Sequence, residues 1–239
     1  MEVRYKLYIF FLTSDFWLLC FIYLLLTSII IYRRIIKMII LKDYPKKERL
    51  KNGNEVLLRP MHKEDYQALH NFFSSLPLED RLFLKEDVGN PEVITTWIKN
   101  LDYSRIIPIL AEINGIIIGD ATLHLRQFGW SRHVGEIRVV TDAKFRRQGL
   151  GLLLTREIFL LAVRLKLEKI VAEMTDTQGS AINIFKTLGF KQEASFKDYV
   201  MDLTGRKHNL VIMTHDVETI WDEIQNIIHD SFADQEGEE

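Results

Sequence analysis

Apolar positions recur along this chain with two different periods, and each change of period marks an element. "EVLLRPM", from Glu55, is a short β-run that Pro60 ends. In "HKEDYQALHNFFSSL" the residues Tyr66, Leu69, Phe72, Phe73 and Leu76 return at helical spacing, and Glu64 and Asp65 fall in the first turn, where the helix dipole favours acids. This spacing predicts an amphipathic helix with Phe72 and Phe73 in the core. A second helix is predicted from Pro91 through "EVITTWIKNL", because Asn90 can cap it and proline suits the first helical position.

"RIIPILAEI" and "IIIGDATLHL" follow as two β-rich runs joined across Asn114-Gly115, a hairpin signal. A third strand, "HVGEIRVVT", comes after the turn "FGWS". At Gly149 the period changes from two to 3.6, and "LGLLLTREIFLLAVRLKL" is apolar over most of its circumference, as a largely buried helix should be. "KIVAEMT" reads as a strand, "SAINIFKTL" as a short helix closed by Gly189, and "FKQEASF" and "HNLVIMTHDV" as two last strands. Trp97, Trp130 and Trp221 are read as packing anchors. The order is strand, two helices, three strands, helix, strand, helix and two strands. It predicts an α/β fold with a mixed sheet and helices on both faces.

Four regions are expected. Residues 1–41 hold a hydrophobic segment, 42–54 a lysine-dense linker with Pro45 and "NGN", 55–216 the folded domain, and 217–239 a terminal amphipathic helix with an acidic tail. Residues 7–32 are apolar apart from Asp15 and a few hydroxyl side chains, and 26 helical residues exceed a ~30 Å bilayer core. Arg33, Arg34, Lys37, Lys42, Lys46 and Lys47 follow the stretch and only Arg4 and Lys6 precede it, so a transmembrane anchor would leave the domain in the cytoplasm. The alternative is that Met38 is the true start, which leaves a cytoplasmic domain with no anchor.

Composition excludes more than it selects. The 239 residues are 47% hydrophobic and 27% charged with a formal net charge of -2, which gives no sign of disorder, collagen or a nucleic-acid partner. Cys20 is alone, so it forms no internal disulfide and no thiolate metal site. His124, His133 and His208 lack HxxxH or HExxH spacing, and no metal is assigned.

The loop "FRRQGLGLLL" carries the chemistry. The first amides of a helix lack intrahelical partners and together hold about half a positive charge, so they can donate to phosphate oxygens. Gly149 and Gly151 remove side chains from that approach, and Arg146 and Arg147 add charge. The run is neither GxxxxGK[ST] nor GxGxxG.

"RRQGLG" resembles the [Q/R]xxGx[G/A] acyl-CoA pyrophosphate loop of the GNAT acetyltransferases, "AINIFKTLGF" resembles their second signature, and "NLVIM" their closing strand. The resemblance covers about residues 55–216. It implies a mostly antiparallel central sheet flanked by helices, and acetyl-CoA as co-substrate. It places the amides of Gln148, Gly149, Leu150, Gly151 and Leu152 on the pyrophosphate, and the splayed strand edge at Val139 and Val140 on the pantetheine. Gln178 stands where an asparagine often touches the cofactor. Phe185 replaces a frequent tyrosine there and cannot donate a proton, so the general acid is in question. Members are often dimers, and a homodimer is one arrangement the resemblance allows.

Transfer to an amine needs a neutral nucleophile and a leaving thiolate. Glu136, ten residues before Arg146, is near the family's general base and could act through water; the alternative is a surface glutamate paired with Arg138. Glu173 and Asp142 suit the acceptor's approach better than catalysis. Tyr199 is a substitute acid or a packed strand residue. The expected function is an N-acetyltransferase acting directly from acetyl-CoA on an amine, either a protein lysine or a small amine. "RPMHKEDYQALHNFFSSLPLEDR" resembles the corresponding segment of members that modify protein lysines. The rivals are a non-catalytic acyl-CoA sensor and a membrane-attached interaction module.

Overall fold

A single eight-stranded sheet organises the chain. The computed structural model describes residue 31 and residues 42–81, 84–202 and 204–217. Apart from residue 31, the apolar stretch at 7–32 lies outside the described residues, as do the terminal helix and tail expected after Val217. Among the described residues no helix is long and apolar enough to cross a membrane.

The strands are β1 (Lys46–Arg49), β2 (Glu55–Pro60), β3 (Ile106–Ile113), β4 (Ile116–His124), β5 (Val134–Thr141), β6 (Lys169–Thr175), β7 (Lys191–Met201) and β8 (Lys207–Asp216). They run in the order β1-β2-β3-β4-β5-β6-β8-β7. Every adjacent pair is antiparallel except β5 and β6, which are parallel. The mixed sheet with helices on both faces is the fold expected from the pattern, and its mostly antiparallel pairing is what the resemblance implied. Local chemistry explains several boundaries. Asn114 takes φ 51° in the β3–β4 turn, a left-handed conformation that asparagine tolerates. The helix α3 (Pro91–Lys99) starts where Asn90 accepts a hydrogen bond from the Glu92 amide.

Helices cover the two faces separately. The helix α4 (Leu150–Arg164) buries Leu150, Leu154, Ile158 and Leu161 against Ile107, Ile109, Ala121 and Leu123, and α5 (Gly179–Thr187) adds Phe185 to that layer. On the other face α1 (Tyr66–Ser75) and α3 pack around Leu69, Phe72, Phe73, Ile94 and Leu110. Phe72 and Phe73 are core, as expected, and Trp97 packs edge-on to Phe73 with centroids 5.3 Å apart. Trp130 does not pack: it is 94% exposed, because it sits in the β4–β5 turn beyond both helical layers. The short helix α2 (Leu78–Arg81) leads into the loop before α3.

The segment expected to be a linker contains β1, whose four residues are all charged and form the outer edge of the sheet. An edge strand that stays soluble needs such residues. β1 is also stapled to α4. Glu157, only 2% exposed in the middle of that helix, accepts from the Tyr44 hydroxyl at 2.5 Å and pairs with Lys46. Burial and the Glu157 carboxylate push the Tyr44 hydroxyl far above its ordinary range, so it stays a donor. Asp43 pairs with Arg164 at the far end of α4. Lys46→Met leaves a buried carboxylate without its cation and is expected to cost about 2 kcal/mol in urea unfolding, with the double variant Lys46→Met/Glu157→Met recovering part of it.

Candidate active site

Two strands that begin as partners separate, and the gap between them defines the site. β5 and β6 pair from Val134/Lys169 to Ile137/Ala172 and no further, although β5 runs on to Thr141 and β6 to Thr175. β5 keeps its bonds to β4 over that length, and β6 keeps its bonds to β8. From Arg138 onward the side of β5 facing β6 therefore has no strand partner. Val139 and Val140 lie on this freed stretch. Val139 packs with the α4 layer and Val140 with the α1/α3 layer.

The glycine loop caps the same end of β5. Arg147 (φ 60°) and Gly149 (φ 88°) are both left-handed, a backbone of the kind that lines up successive N–H groups in a concavity. The first intrahelical bond of α4 is donated by Leu153 to Gly149, so the amides of Leu150, Gly151 and Leu152 precede it. The two glycines have different duties. A Cβ on Gly149 would meet only the Lys51 side chain at 3.5 Å, so it is the positive φ that calls for glycine there. A Cβ on Gly151 would sit 3.1 Å from Cδ1 of Ile184, so this position is small to let α5 pack on α4.

The charges around the loop are partly engaged. Arg146 pairs with Asp80 of α2, whereas Arg147 is exposed. Gln148 is held by the β1–β2 turn: its carbonyl accepts from the Lys51 amide at 3.0 Å and its side chain from Asn52. Lys51 thus brings a cation to the loop that the sequence reading missed. Asp142 caps the short turn before the loop by accepting from the Lys144 amide at 2.8 Å.

A polar strip crosses the face covered by α1 and α3. In the β4–β5 register Val140 lies opposite Asp120, Arg138 opposite Thr122, and Glu136 opposite His124, so all six project from one face. Glu136 pairs with Val171, which puts Glu173, two residues further on β6, on that face as well. Glu136 Oε1 accepts from Lys85 Nζ at 2.6 Å and from Arg138 Nε at 2.9 Å, and the same Lys85 ammonium donates to Glu173 Oε2 at 2.6 Å. Burial alone would raise the Glu136 carboxyl, but Lys85 and Arg138 outweigh it and hold it down to about 2. Burial pushes His124 down to about 4, with Arg138 acting in the same sense, so the ring is neutral at pH 7. Asp120, whose side chain meets only the Thr122 hydroxyl at 3.3 Å, is pushed up to about 7 by burial.

The remaining sequence candidates lie elsewhere. Phe185 is buried in the core edge-on to Phe190, with centroids 4.9 Å apart. Gln178 stands at the start of α5 and accepts from the Thr175 amide at 2.9 Å. Tyr199 is 68% exposed against Phe196 on β7, and β8 separates that strand from β6. The structure does not bring Tyr199 to Glu136. Leu152 is half-buried beside the core leucines of α4. Asp120 was legible as the one acid inside "IIIGDATLHL", whereas Lys85 carries no local signal.

The profile of the Acetyltransferase (GNAT) family matches residues 66–190, just over half of the chain. An L-amino acid N-acetyltransferase from Escherichia coli is 22% identical over 149 residues, which cover 62% of this chain and 90% of that protein. A GNAT-family acetyltransferase from Streptococcus pneumoniae superposes with a TM-score of 0.60 at 22% identity, over 67% of this chain and 99% of that one. A Salmonella typhimurium protein solved with its cofactor acetyl-CoA gives 0.60 at 20% identity, over 68% and 94%.

The Asp120 environment has a consequence for stability. Its folded-state pKa lies above the unfolded carboxylate value, so the folded form holds a proton more tightly. The stabilisation is complete below about pH 4 and is lost as pH rises through about 7. Asp120→Asn is expected to flatten the fall in unfolding free energy between pH 4 and pH 8, a difference of order 2–4 kcal/mol in urea titrations.

Proposed function

The chain belongs to the GNAT family of acetyltransferases, and on that footing we propose that it moves an acetyl group from acetyl-CoA directly to a primary amine. The observation that carries this reading is the parting of β5 from β6 after Ile137/Ala172, with the amide-bearing loop of α4 at the same end. A phosphate-bearing acyl carrier fits these residues. The amides of Gln148 through Leu152, with Arg147 and Lys51 beside them, would hold the pyrophosphate, and the free edge at Val139 and Val140 would receive the pantetheine arm. When bound, the carrier supplies an activated thioester. The chain's own part is to place an amine beside it and to take up the amine's proton.

Glu136 is the residue proposed to accept that proton, directly or through a water. Paired with Lys85 and Arg138 it is held down to about 2, so toward an outside amine it becomes an effective base only when Lys85 moves or loses its charge. Asp120, four residues before Glu136's partner His124 and pushed up to about 7, would receive protons further along the same face. Glu136 and Glu173 together make an anionic seat for a cationic acceptor, which supports an amine substrate, either a protein lysine or a small amine. The E. coli relative's amino-acid substrates favour the small amine, and the segment around α1 favours the protein.

A second reading, a non-catalytic acyl-CoA sensor, is favoured by one observation: Phe185 is packed in the core and Glu136 is held low, which leaves neither an acid nor a ready base. Calorimetry and thiol release separate the two. Glu136→Gln should bind acetyl-CoA as tightly as the parent and lower kcat with added amines by about 10²- to 10⁴-fold. Tight binding with no thiol release from the parent on any amine would establish the sensor instead. Gly149→Val, which forces a β-branched residue to positive φ, should weaken acetyl-CoA binding at least about tenfold, and unchanged binding would remove the loop from the site.

A further inference from the structure

Among the described residues, Lys85 is the lysine whose Nζ hydrogen-bonds Glu136, and it does so from a loop that is firmly seated. The Leu84 amide donates to the Arg81 carbonyl at 3.1 Å, and the Leu84 side chain packs on the α1/α3 layer. Val88 is 3% exposed in that layer, and the Glu86 carboxylate accepts from the Trp97 indole at 2.8 Å. Lys85 is left pointing across the polar strip, where Glu136 and Glu173 grip its ammonium at 2.6 Å each. An acceptor amine needs the same things: approach from the α1/α3 face, a carboxylate seat for the ammonium, and a base within hydrogen-bond reach. The chain supplies all three to its own side chain.

We propose that Lys85 is an acetylation site of this enzyme, modified by its own active centre through Glu136. The proposal rests on the transferase reading given above. The Lys85 ammonium gives one proton to Glu136, and the neutral nitrogen attacks the thioester carbonyl. A C–N amide bond forms as the C–S bond breaks; the second proton, lost by the attacking nitrogen, passes to the departing thiolate, leaving Nε-acetyl-lysine, coenzyme A thiol and a protonated Glu136 that returns its proton to water. The product has no charge at Nζ. Glu136 and Glu173 then lose the cation between them, and only Arg138 still donates to Glu136. Acetylated Lys85 therefore both empties the seat for an outside amine and releases the base from its tightest partner.

The full-length protein is incubated with acetyl-CoA carrying a deuterated acetyl group and no added amine, and then mapped by peptide mass spectrometry. Label is expected on Lys85 at least about tenfold faster than on the exposed Lys166 and Lys191, and at least about tenfold slower on Lys85 in Glu136→Gln. Labelling of Lys85 that is equal in Glu136→Gln overturns the proposal, since it is then uncatalysed. A protein that releases coenzyme A with added amines while Lys85 stays unlabelled also overturns it and leaves the transferase reading standing. No release and no label together overturn both. A measurement without acetyl-CoA tests the contact itself: the Glu136 carboxyl followed by ¹³C NMR should titrate at least about one unit higher in Lys85→Gln than in the parent. An unchanged midpoint in the folded variant would show that the contact is absent and overturn the proposal.

Discussion

The lost pairing between β5 and β6 is the constraint from which the rest of the site follows. Two parallel strands that stayed bonded to their ends would close the sheet and leave no backbone for a ligand to address. Here each strand keeps its outer partner, β4 or β8, so the parting costs the sheet only a few inner bonds and nothing of its core. The buried leucines of α4 then fix the helix on one face while its bare amides stand at the mouth of the gap. The same strand carries the glycine loop, the free edge and the candidate base. In the proposed reading, binding and chemistry both follow from one local deviation from regular pairing.

On the opposite face, electrostatics decide more than packing. Six charged or titratable side chains share a small area, and the balance among them holds one carboxylate far down and lifts another toward neutrality. Such divergence is the usual mark of a working site, since neighbouring acids are driven apart only by strongly different surroundings. In the proposed reaction the ion pairs would also set the order of events. While Lys85 is seated between Glu136 and Glu173, no second ammonium can enter without displacing it.

Much of this was written locally in the chain. The Asn114-Gly115 hairpin, the Asn90 cap and the start of α4 at Gly149 depend on neighbours in sequence, and each appears where its residues predict. Elements that depend on distant partners were harder to see. β1 has no apolar alternation, because an outer strand of four charged residues looks the same as a solvated linker until β2 is beside it. Glu157 carries no signal of its own in a helix read as largely buried, and it is accommodated there by Tyr44 and Lys46, more than a hundred residues away. Glu136 was named through the resemblance, and the structure puts it on the polar strip paired with Lys85 and Arg138. Lys85 was not legible, since only the packing of Leu84 and Val88 aims it at the strip.

The staple between residues 43–52 and α4 has a mechanical side. Asp43 holds the carboxyl end of the helix, Tyr44 and Lys46 its middle, and the β1–β2 turn the loop at its amino end. The segment thus runs alongside the helix as a splint runs along a limb. A pull on the chain ahead of Asp43 would load the helix lengthwise as well as the sheet's outer edge, and the glycine loop at the helix tip would feel that load.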